Sequence, residues 1–210
     1  MEIKILVVGP VATNCYIVSE GTDTVIFDPG AEAERILSYV SENGLDVSYI
    51  FLTHGHFDHV LAAAAIKSAT GAKIAIHRFD ADCLTDESRS LAARVRLEQE
   101  PVLADIIIGD GDCIEMDSLN FKWLHTPGHT VGSCVILCGS AMFSGDTLFE
   151  DDCGRCDLDG GDYAEMLKSL RRLAALEGDY DVYPGHDVST TLSREREKNV
   201  NMREALETLK

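Results

Sequence analysis

Basic residues are what this chain most obviously lacks. Its 210 residues include 18 lysines and arginines against 36 aspartates and glutamates, which gives a formal net charge of −18 at pH 7. Binding to nucleic acid needs clusters of Lys and Arg that contact phosphates, and none is visible. The charge balance therefore argues against nucleic acid as a partner.

Long apolar runs are missing as well. No stretch approaches the roughly 18 apolar residues of a membrane span. Met1 is not followed by the basic and apolar segments of a signal peptide. We therefore expect no membrane partner and a cytoplasmic location. The seven cysteines do not pair off and are expected to be reduced thiols.

The G-x-S-x-G turn that would present a serine nucleophile is also absent. A histidine cluster is present instead, because the chain reads Thr-His-Gly-His-Phe-Asp-His directly after an apolar run. In an extended or tightly turning backbone, His54 and His56 can converge on one point while Asp58 and His59 point to a neighbouring one. Imidazoles with a carboxylate suit zinc and related metals, so the pattern predicts two metal ions side by side.

Three further turns place polar side chains after apolar segments. His129 and His186 each follow a Pro-Gly pair, and Asp146 stands in a Ser-Gly-Asp-Thr turn. Loops at strand ends are where a rigid scaffold presents functional groups, so these residues are candidates to join the cluster. His77 and His125 fit no such pattern and are interpreted as structural or solvent-facing.

Periodicity predicts two runs of β-strands, each closed by helices. The four predicted helices are Ala31–Asn43, Val60–Thr70, Tyr163–Leu176 and Arg194–Leu209. Length and the 45% hydrophobic content predict one domain over residues 1–210.

The order of these motifs resembles that of the metallo-β-lactamase-fold hydrolases, and within them the single-domain proteins similar to glyoxalase II (hydroxyacylglutathione hydrolase). The resemblance runs from Gly9 to about Met202. It is carried by Gly9-Pro10, Thr13-Asn14-Cys15-Tyr16, Asp28-Pro29-Gly30, the histidine cluster, Thr126-Pro127-Gly128-His129-Thr130, Gly132-Ser133, Gly145-Asp146-Thr147-Leu148-Phe149 and Pro184-Gly185-His186. It implies an α+β fold, the αββα four-layer sandwich, with the metal site at one edge.

The family pattern also implies two ligand triads and a bridge. The seven residues are His54, His56 and His129 for the first metal, Asp58, His59 and His186 for the second, and Asp146 between the two. Asp28 falls where the family keeps an aspartate that orients a ligand histidine, although a turn residue is an equal interpretation.

The ligand set implies hydrolysis. Two divalent metals about 3.5–4 Å apart can share a hydroxide, lower the pKa of its parent water from about 15.7 to about 7, and polarise a carbonyl. The expected substrate is a small acyl thioester or ester, and the expected nucleophile is this hydroxide. Asp58 is the candidate catalytic residue, because it can shuttle a proton. Zinc is the expected metal, with iron or manganese as alternatives. The sequence makes no prediction of oligomeric state.

The glutathione site of the family is only partly present. The family has a basic residue and a tyrosine after the bridging aspartate, and another tyrosine after the last histidine. Arg155 supplies the basic group and is the candidate substrate contact, but Cys156-Asp157 and Asp187-Val188 do not supply the tyrosines.

Two segments keep two interpretations each. The polar segment Phe79–Val102 is either a substrate lid or a solvated pair of helices. Cys153 and Cys156 form a C-x-x-C pair, which could form a disulfide or bind a metal. Small residues in a tight loop are the simpler interpretation.

Other activities remain open. A lactonase would use the same seven ligands. A persulfide dioxygenase would use one iron held by His54, His129 and Asp146. A non-enzymatic metal-dependent module is disfavoured because no ligand is missing, and a lactamase because many lactamases place cysteine where Asp146 stands. The acidic charge disfavours the ribonucleases of the superfamily.

Overall fold

Two six-stranded mixed sheets form the centre of the computed structural model, which describes residues 1–208. The first sheet contains, in spatial order, β1 (Glu2–Val8), β2 (Thr13–Glu20), β3 (Asp23–Phe27), β4 (Tyr49–Phe51), β5 (Lys73–His77) and β6 (Ile106–Ile108). The second contains β12 (Thr190–Thr191), β11 (Asp181–Pro184), β10 (Ala141–Gly145), β9 (Cys134–Cys138), β8 (Asn120–His125) and β7 (Cys113–Glu115).

Within residues 1–208, seven α-helices accompany the sheets. They are α1 (Ala33–Glu42), α2 (Phe57–Val60), α3 (Ala63–Thr70), α4 (Ala92–Val95), α5 (Tyr163–Ala174), α6 (Leu192–Lys198) and α7 (Val200–Thr208). In the part of the chain that the structure describes, no helix is both long and apolar enough to span a bilayer.

Side chains alternate between faces along the strands, and this alternation builds three apolar layers. On β2, Ile17 packs towards α1 and α3, whereas Tyr16 and Val18 pack between the two sheets. The layer between the sheets is rich in aromatic rings, with Phe27 stacked on Phe143 at 4.1 Å. A third layer joins the second sheet to α5, α6 and α7. Helix, sheet, sheet and helix therefore follow one another, which confirms the predicted α+β class and αββα layering.

Strand direction determines where the functional loops meet. β3, β4 and β5 run parallel to one another. β10 is parallel to β11 and antiparallel to β9, and β9 is antiparallel to β8, so β8, β10 and β11 share one direction. The carboxyl ends of each set lie together at one edge of their sheet. The loops that follow these ends carry all the predicted ligands.

Two predicted helices were wrong in extent. The one over Val60–Thr70 is two helices, because α2 begins earlier, inside the histidine cluster, and Leu61 and Ala62 separate it from α3. The one over Arg194–Leu209 is broken at Asn199, where the backbone is extended. The Asn199 amide donates to the carbonyl oxygen of Asp152 at 2.9 Å, so tertiary bonding competes with helix continuation. Its predicted end, Leu209, lies outside the described residues.

Strands β11 and β12 were missed. β11 is only Asp181–Pro184 and ends in proline, so it gives little periodic signal. In the polar segment Phe79–Val102, the regular structure is a 3₁₀ turn at Ala81–Leu84 and the single turn of α4. The prediction of one domain over residues 1–210 stays a prediction.

Candidate metal centre

The seven predicted ligands come from four loops at the carboxyl ends of strands. Their positions follow β4, β8, β10 and β11, and Asp58 and His59 lie on the first turn of α2. Because each loop leaves a strand that contributes buried residues to the core, its starting point is fixed by the core. The structure brings all seven side chains together, although they are spread over 133 positions of the chain, from His54 to His186.

The two predicted triads are both formed. The ligand atoms of His54, His56 and His129 all lie within 4.8 Å of one another, and so do those of Asp58, His59 and His186. In the first triad, His56 Nδ1 is 2.8 Å from His129 Nε2.

In the second triad, Asp58 Oδ2 is 3.2 Å from His186 Nε2 and 3.4 Å from His59 Nε2. A site of three nitrogens and a site of two nitrogens and one oxygen therefore lie side by side.

Asp146 lies between the triads. Its Oδ1 is 3.5 Å from His59 Nε2, and its Oδ2 is 3.5 Å from His129 Nε2 and 3.6 Å from His186 Nε2. One carboxylate thus faces both groups. This is the position that a bridging ligand requires.

Unsatisfied polar atoms show that the donor set fits a metal. Within residues 1–208, four buried side-chain polar atoms lack a hydrogen-bond partner, and three of them are His54 Nε2, His59 Nε2 and Asp146 Oδ1. Leaving a buried donor or acceptor unpaired costs about 1–3 kcal/mol, so three in one cluster need a partner of another kind. Imidazole and carboxylate donors with no thiolate suit zinc, iron or manganese.

The electrostatics of the two triads differ. Burial, together with the neighbouring histidines, lowers the pKa of His54 well below its ordinary value and that of His56 to about 3. Both rings are therefore neutral at pH 7, which is the form that coordinates a metal. Burial also acts against protonation of His59, but Asp58, Asp146 and Asp28 outweigh it and raise the pKa of this ring. The second triad thus stabilises positive charge.

Asp28 orients His59 from the far side of the ring. Its Oδ2 lies 3.0 Å from His59 Nδ1, and its oxygens accept from the Thr53 backbone N–H at 2.8 Å and the Thr53 hydroxyl at 2.6 Å. The ring therefore presents Nε2 to the cluster. Of the two interpretations of Asp28, the geometry supports the orienting carboxylate.

Asp80 is a residue that sequence reasoning missed. This buried carboxylate accepts from the backbone N–H of Gly55 at 2.9 Å, the backbone N–H of Gly132 at 2.8 Å and the hydroxyl of Thr130 at 2.7 Å. It therefore ties the loop of His54 and His56 to the loop of His129. Its position shortly after β5, parallel to β4, is the signal that could have found it.

Two backbone contacts were also missed. His129 Nδ1 lies 2.7 Å from the carbonyl oxygen of Arg155, so the main chain of Arg155 orients this ring. The Asn14 backbone N–H donates to the Gly185 carbonyl at 2.7 Å, and its side chain donates to the carbonyls of Pro184 and Asp187, both at 3.0 Å. Asn14 thus fixes the loop of His186.

Gly185 permits the close approach of the β11 loop to the bridge. A Cβ atom at this position would lie 2.2 Å from Asp146 Oδ1, which no side chain can tolerate. The Pro-Gly-His turn therefore needs glycine for space.

The remaining candidates lie outside the cluster. His77 is buried and stacks on His125 with ring centroids 4.1 Å apart, which supports a structural interpretation. Cys153 and Cys156 are half-buried free thiols. All the cysteines in residues 1–208 are likewise free of disulfide bonds. Burial raises the pKa of Cys153 to about 12 and that of Cys156 to about 11. Both pack against the third apolar layer, in agreement with the simpler interpretation of this loop.

A cleft of about 370 Å³ opens over the cluster. Its floor includes Asp58 and Asp146, and Arg155 and Leu91 contribute to its lining. The Arg155 guanidinium is largely exposed and binds Asp157 through two contacts, at 2.7 and 2.8 Å. Leu91 brings the polar segment Phe79–Val102 to the edge of the cleft. The predicted substrate contact is therefore beside the cluster, but its charge is already paired.

Comparison with known proteins identifies the family. The family model described as the metallo-beta-lactamase superfamily matches residues 8–186. The chain belongs to this superfamily, whose members are mostly metal-dependent hydrolases. The metallo-β-lactamase fold expected from the sequence is thereby confirmed.

Two relatives cover nearly the whole chain. An uncharacterized protein of Aquifex aeolicus is 38% identical over 205 residues, which are 95% of this chain and 96% of the relative. A protein of Haemophilus influenzae named hydroxyacylglutathione hydrolase GloC is 33% identical over 205 residues, again 95% of this chain and 96% of the relative.

Two crystal structures also match almost the whole of this chain. BLEG-1, a B3 metallo-beta-lactamase, superposes with a TM-score of 0.90 and 30% identity, covering 96% of this chain and 99% of BLEG-1. TTHA1623, crystallised in a di-iron-bound form, superposes with a TM-score of 0.84 and 36% identity, covering 94% of this chain and 98% of that protein. The family therefore includes a protein with two iron ions, so the family alone does not specify zinc.

Proposed function

We propose that the protein is a dinuclear-metal-dependent thioester hydrolase, with hydroxyacylglutathione hydrolysis as the leading named activity. The observation that carries the proposal is the meeting of two complete triads around Asp146, with three buried donor atoms left unpaired. The 33% identity to the Haemophilus hydrolase supports the choice of a thioester.

His54, His56 and His129 would hold one ion, Asp58, His59 and His186 the other, and Asp146 both. Zinc is proposed, with iron or manganese as alternatives that fit the same donors. When bound, the two ions would supply Lewis acidity that activates water and polarises the acyl carbonyl. In the overall reaction, water adds to the acyl carbon, the C–S bond breaks, and a carboxylic acid and a thiol are released.

Asp58 is the proposed proton carrier. Its Oδ2 is engaged by His59 and His186 and accepts from the Thr13 hydroxyl at 3.2 Å. These contacts fix the carboxylate at the floor of the cleft and leave Oδ1 to take a proton from the attacking water. The same atom can return the proton to the departing thiolate.

The proposed partners are small acyl substrates rather than nucleic acid or membranes, and the proposed location is the cytoplasm. The choice of small acyl substrates over nucleic acid rests on the acidic composition and on the size of the cleft, whereas the proposals on membranes and location rest on the lack of long apolar runs.

The test combines elemental analysis with a thioester assay. We expect two metal ions per chain under metal-replete conditions and hydrolysis of lactoylglutathione by the loaded protein. One ion per chain together with oxygen consumption on a persulfide would overturn the proposal in favour of a mononuclear dioxygenase. Hydrolysis of a homoserine lactone without thioester hydrolysis would assign a lactonase.

β-Lactam hydrolysis is the second candidate, because BLEG-1 matches the chain over almost its full length. A chromogenic cephalosporin in the same preparation distinguishes the two activities. Turnover of the cephalosporin with a higher kcat/KM than any thioester would reverse their order.

A further inference from the structure

We propose that the cleft selects acyl thioesters whose thiol portion is apolar and carries no negative charge, and that the Arg155–Asp157 ion pair sets this selectivity. The inference rests on the proposed thioesterase function. It goes further by assigning the kind of leaving thiol: lactoylglutathione, whose thiol portion is an anion, is expected to be a poorer substrate than a thioester of a neutral apolar thiol.

The walls of the cleft are apolar and come from separate loops. Val11 follows β1, Leu91 belongs to the polar segment Phe79–Val102, Phe149 follows β10, and Leu158 follows the C-x-x-C pair. Val11 is 47% exposed, so its isopropyl group is available to a ligand. Apolar surfaces that converge over a reactive centre bind an apolar group by removing it from water.

Leu91 lines the cleft with its backbone in an energetically unfavourable conformation. Its φ is +69°, in the left-handed region that leucine rarely adopts, while its side chain is buried. Two neighbouring contacts fix the backbone here: the Phe57 N–H donates to the Ser90 carbonyl at 2.8 Å, and the Leu91 carbonyl accepts from the Arg94 N–H at 3.1 Å. The segment is therefore tied to α2, and it places an apolar side chain in the cleft that Asp58 also lines.

The charges at the rim of the cleft, outside the metal cluster, oppose an anion on the thiol. Arg155 is the one lysine or arginine among the described residues that line it, and Asp157 holds one edge of its guanidinium, through Nε and Nη2. Asp187 also lines the cleft. Arg94, which belongs to α4 and does not line the cleft, is paired with Asp159 at 2.6 Å. An anionic thiol that approaches Arg155 therefore meets a guanidinium whose charge Asp157 already offsets. It must either share the guanidinium with a second carboxylate close by or exchange with Asp157 and leave it unpaired.

An uncharged thiol meets no such exchange. It leaves the Arg155–Asp157 pair in place and contacts the apolar walls. The rim thus discriminates by charge, because an anion beside Arg155 is either repelled by Asp157 or has to replace it, whereas a neutral group is not repelled and does not have to replace it.

The sharpest test uses two isosteric substrates. Lactoyl thioesters of 3-mercaptopropionate and 3-mercaptopropionamide have the same acyl group and nearly the same shape, but differ by one negative charge. We expect the metal-loaded protein to hydrolyse the amide with a kcat/KM at least about 10-fold higher, which corresponds to ~1.4 kcal/mol.

Asp157→Asn then tests the ion pair itself. Freeing Arg155 is expected to raise kcat/KM for the carboxylate substrate by at least about threefold and to leave the amide substrate unchanged. Asp159→Asn is the matched control, because it removes the same charge from the same loop but frees Arg94, which does not line the cleft. The control is expected to change the ratio of the two substrates by less than twofold.

Val11→Ser tests the apolar wall. In the wild type, we expect the hexanethiol thioester of lactate to have a higher kcat/KM than the propanethiol thioester. In Val11→Ser we expect this difference to disappear. Val7→Ser is the control, because Val7 is exposed to a similar degree, 49%, but does not line the cleft.

A binding measurement separates recognition from turnover. Thioether analogues, in which CH₂ replaces the scissile carbonyl, can be titrated into the loaded protein by calorimetry. The amide analogue is expected to bind more tightly than the carboxylate, with the difference reduced in Asp157→Asn. Hydrolysis of both thioesters with an equal or higher kcat/KM for the carboxylate overturns the selectivity and leaves the thioesterase. Hydrolysis of neither, nor of lactoylglutathione, overturns both.

Discussion

The metal cluster and the rim of the cleft are built differently, although they are in contact. In the cluster, Asp28 holds His59, and Asp80 ties the loop of His54 and His56 to that of His129, through groups that are themselves buried. At the rim, Arg155 is held by Asp157 in an ion pair in which both side chains are more than 60% exposed. Exposed ion pairs are worth about 0–1 kcal/mol, whereas buried polar networks are costly to break. Buried hydrogen bonds therefore fix the positions of the metal ligands. Substrate selection depends instead on exposed contacts, which change at little cost in free energy.

The largest effect is expected from removing the carboxylate of Asp146, which is proposed to bridge the two metals. This change tests the metal cluster. Asp146→Ala should abolish turnover and lower the metal content below two ions per chain, because neither triad retains the shared carboxylate. The checks are elemental analysis and kcat on lactoylglutathione. A variant that keeps a tenth or more of wild-type kcat has lost only about 1.4 kcal/mol of barrier and would show that Asp146 does not bridge.

The second prediction concerns the buried support of the cluster. Asp80→Asn should lose at least one of three hydrogen bonds, because an amide has one acceptor oxygen and its NH₂ faces groups that donate. We expect a loss of about 1–3 kcal/mol in the free energy of unfolding and a 10–100-fold weaker affinity for the first metal.

Asp82→Asn is the control for this variant, since Asp82 is an exposed carboxylate two positions away. Thermal unfolding and metal titration measure the two effects. Equal behaviour of the two variants would mean that the Asp80 network does not support the cluster.

The sequence predicted most of the cluster but little of its support, and the reason is physical. Histidines and aspartates directly after apolar strands form a local pattern, and strand ends converge, so the ligands could be found. Asp80 is preceded by β5 but lies in a polar stretch, where a carboxylate is expected to face water. The Arg155 carbonyl that holds His129 has no side-chain signature at all. Contacts of this kind exist only once two distant loops have met.

The third prediction tests the rim. Arg155→Ala should change kcat/KM for lactoylglutathione by less than about 10-fold, or ~1.4 kcal/mol, because the guanidinium is already paired and the carbonyl that orients His129 is retained. The salt dependence of kcat/KM also shows whether Arg155 attracts an anionic substrate over a long distance. A loss greater than 100-fold, confined to glutathione thioesters, would show a dedicated anion site and would place Arg155 with the cluster rather than with the rim.

The smallest expected effect locates the boundary between the two regions, which runs through Cys153 and Cys156. These thiols belong to the rim loop in sequence, yet burial raises their pKa values to about 12 and about 11, as expected of the interior. At pH 8 a thiol with a pKa near 12 is a thiolate in only about one molecule in 10⁴, so both should react slowly with iodoacetamide. Cys113, which is exposed, provides the internal comparison and should be labelled first. The double variant Cys153→Ser, Cys156→Ser should keep kcat within about twofold, since neither sulfur is paired or lines the cleft. Labelling of Cys153 as fast as Cys113, measured by peptide mass spectrometry, would show that the loop opens in solution and that the rim extends further towards the cluster than its packing indicates.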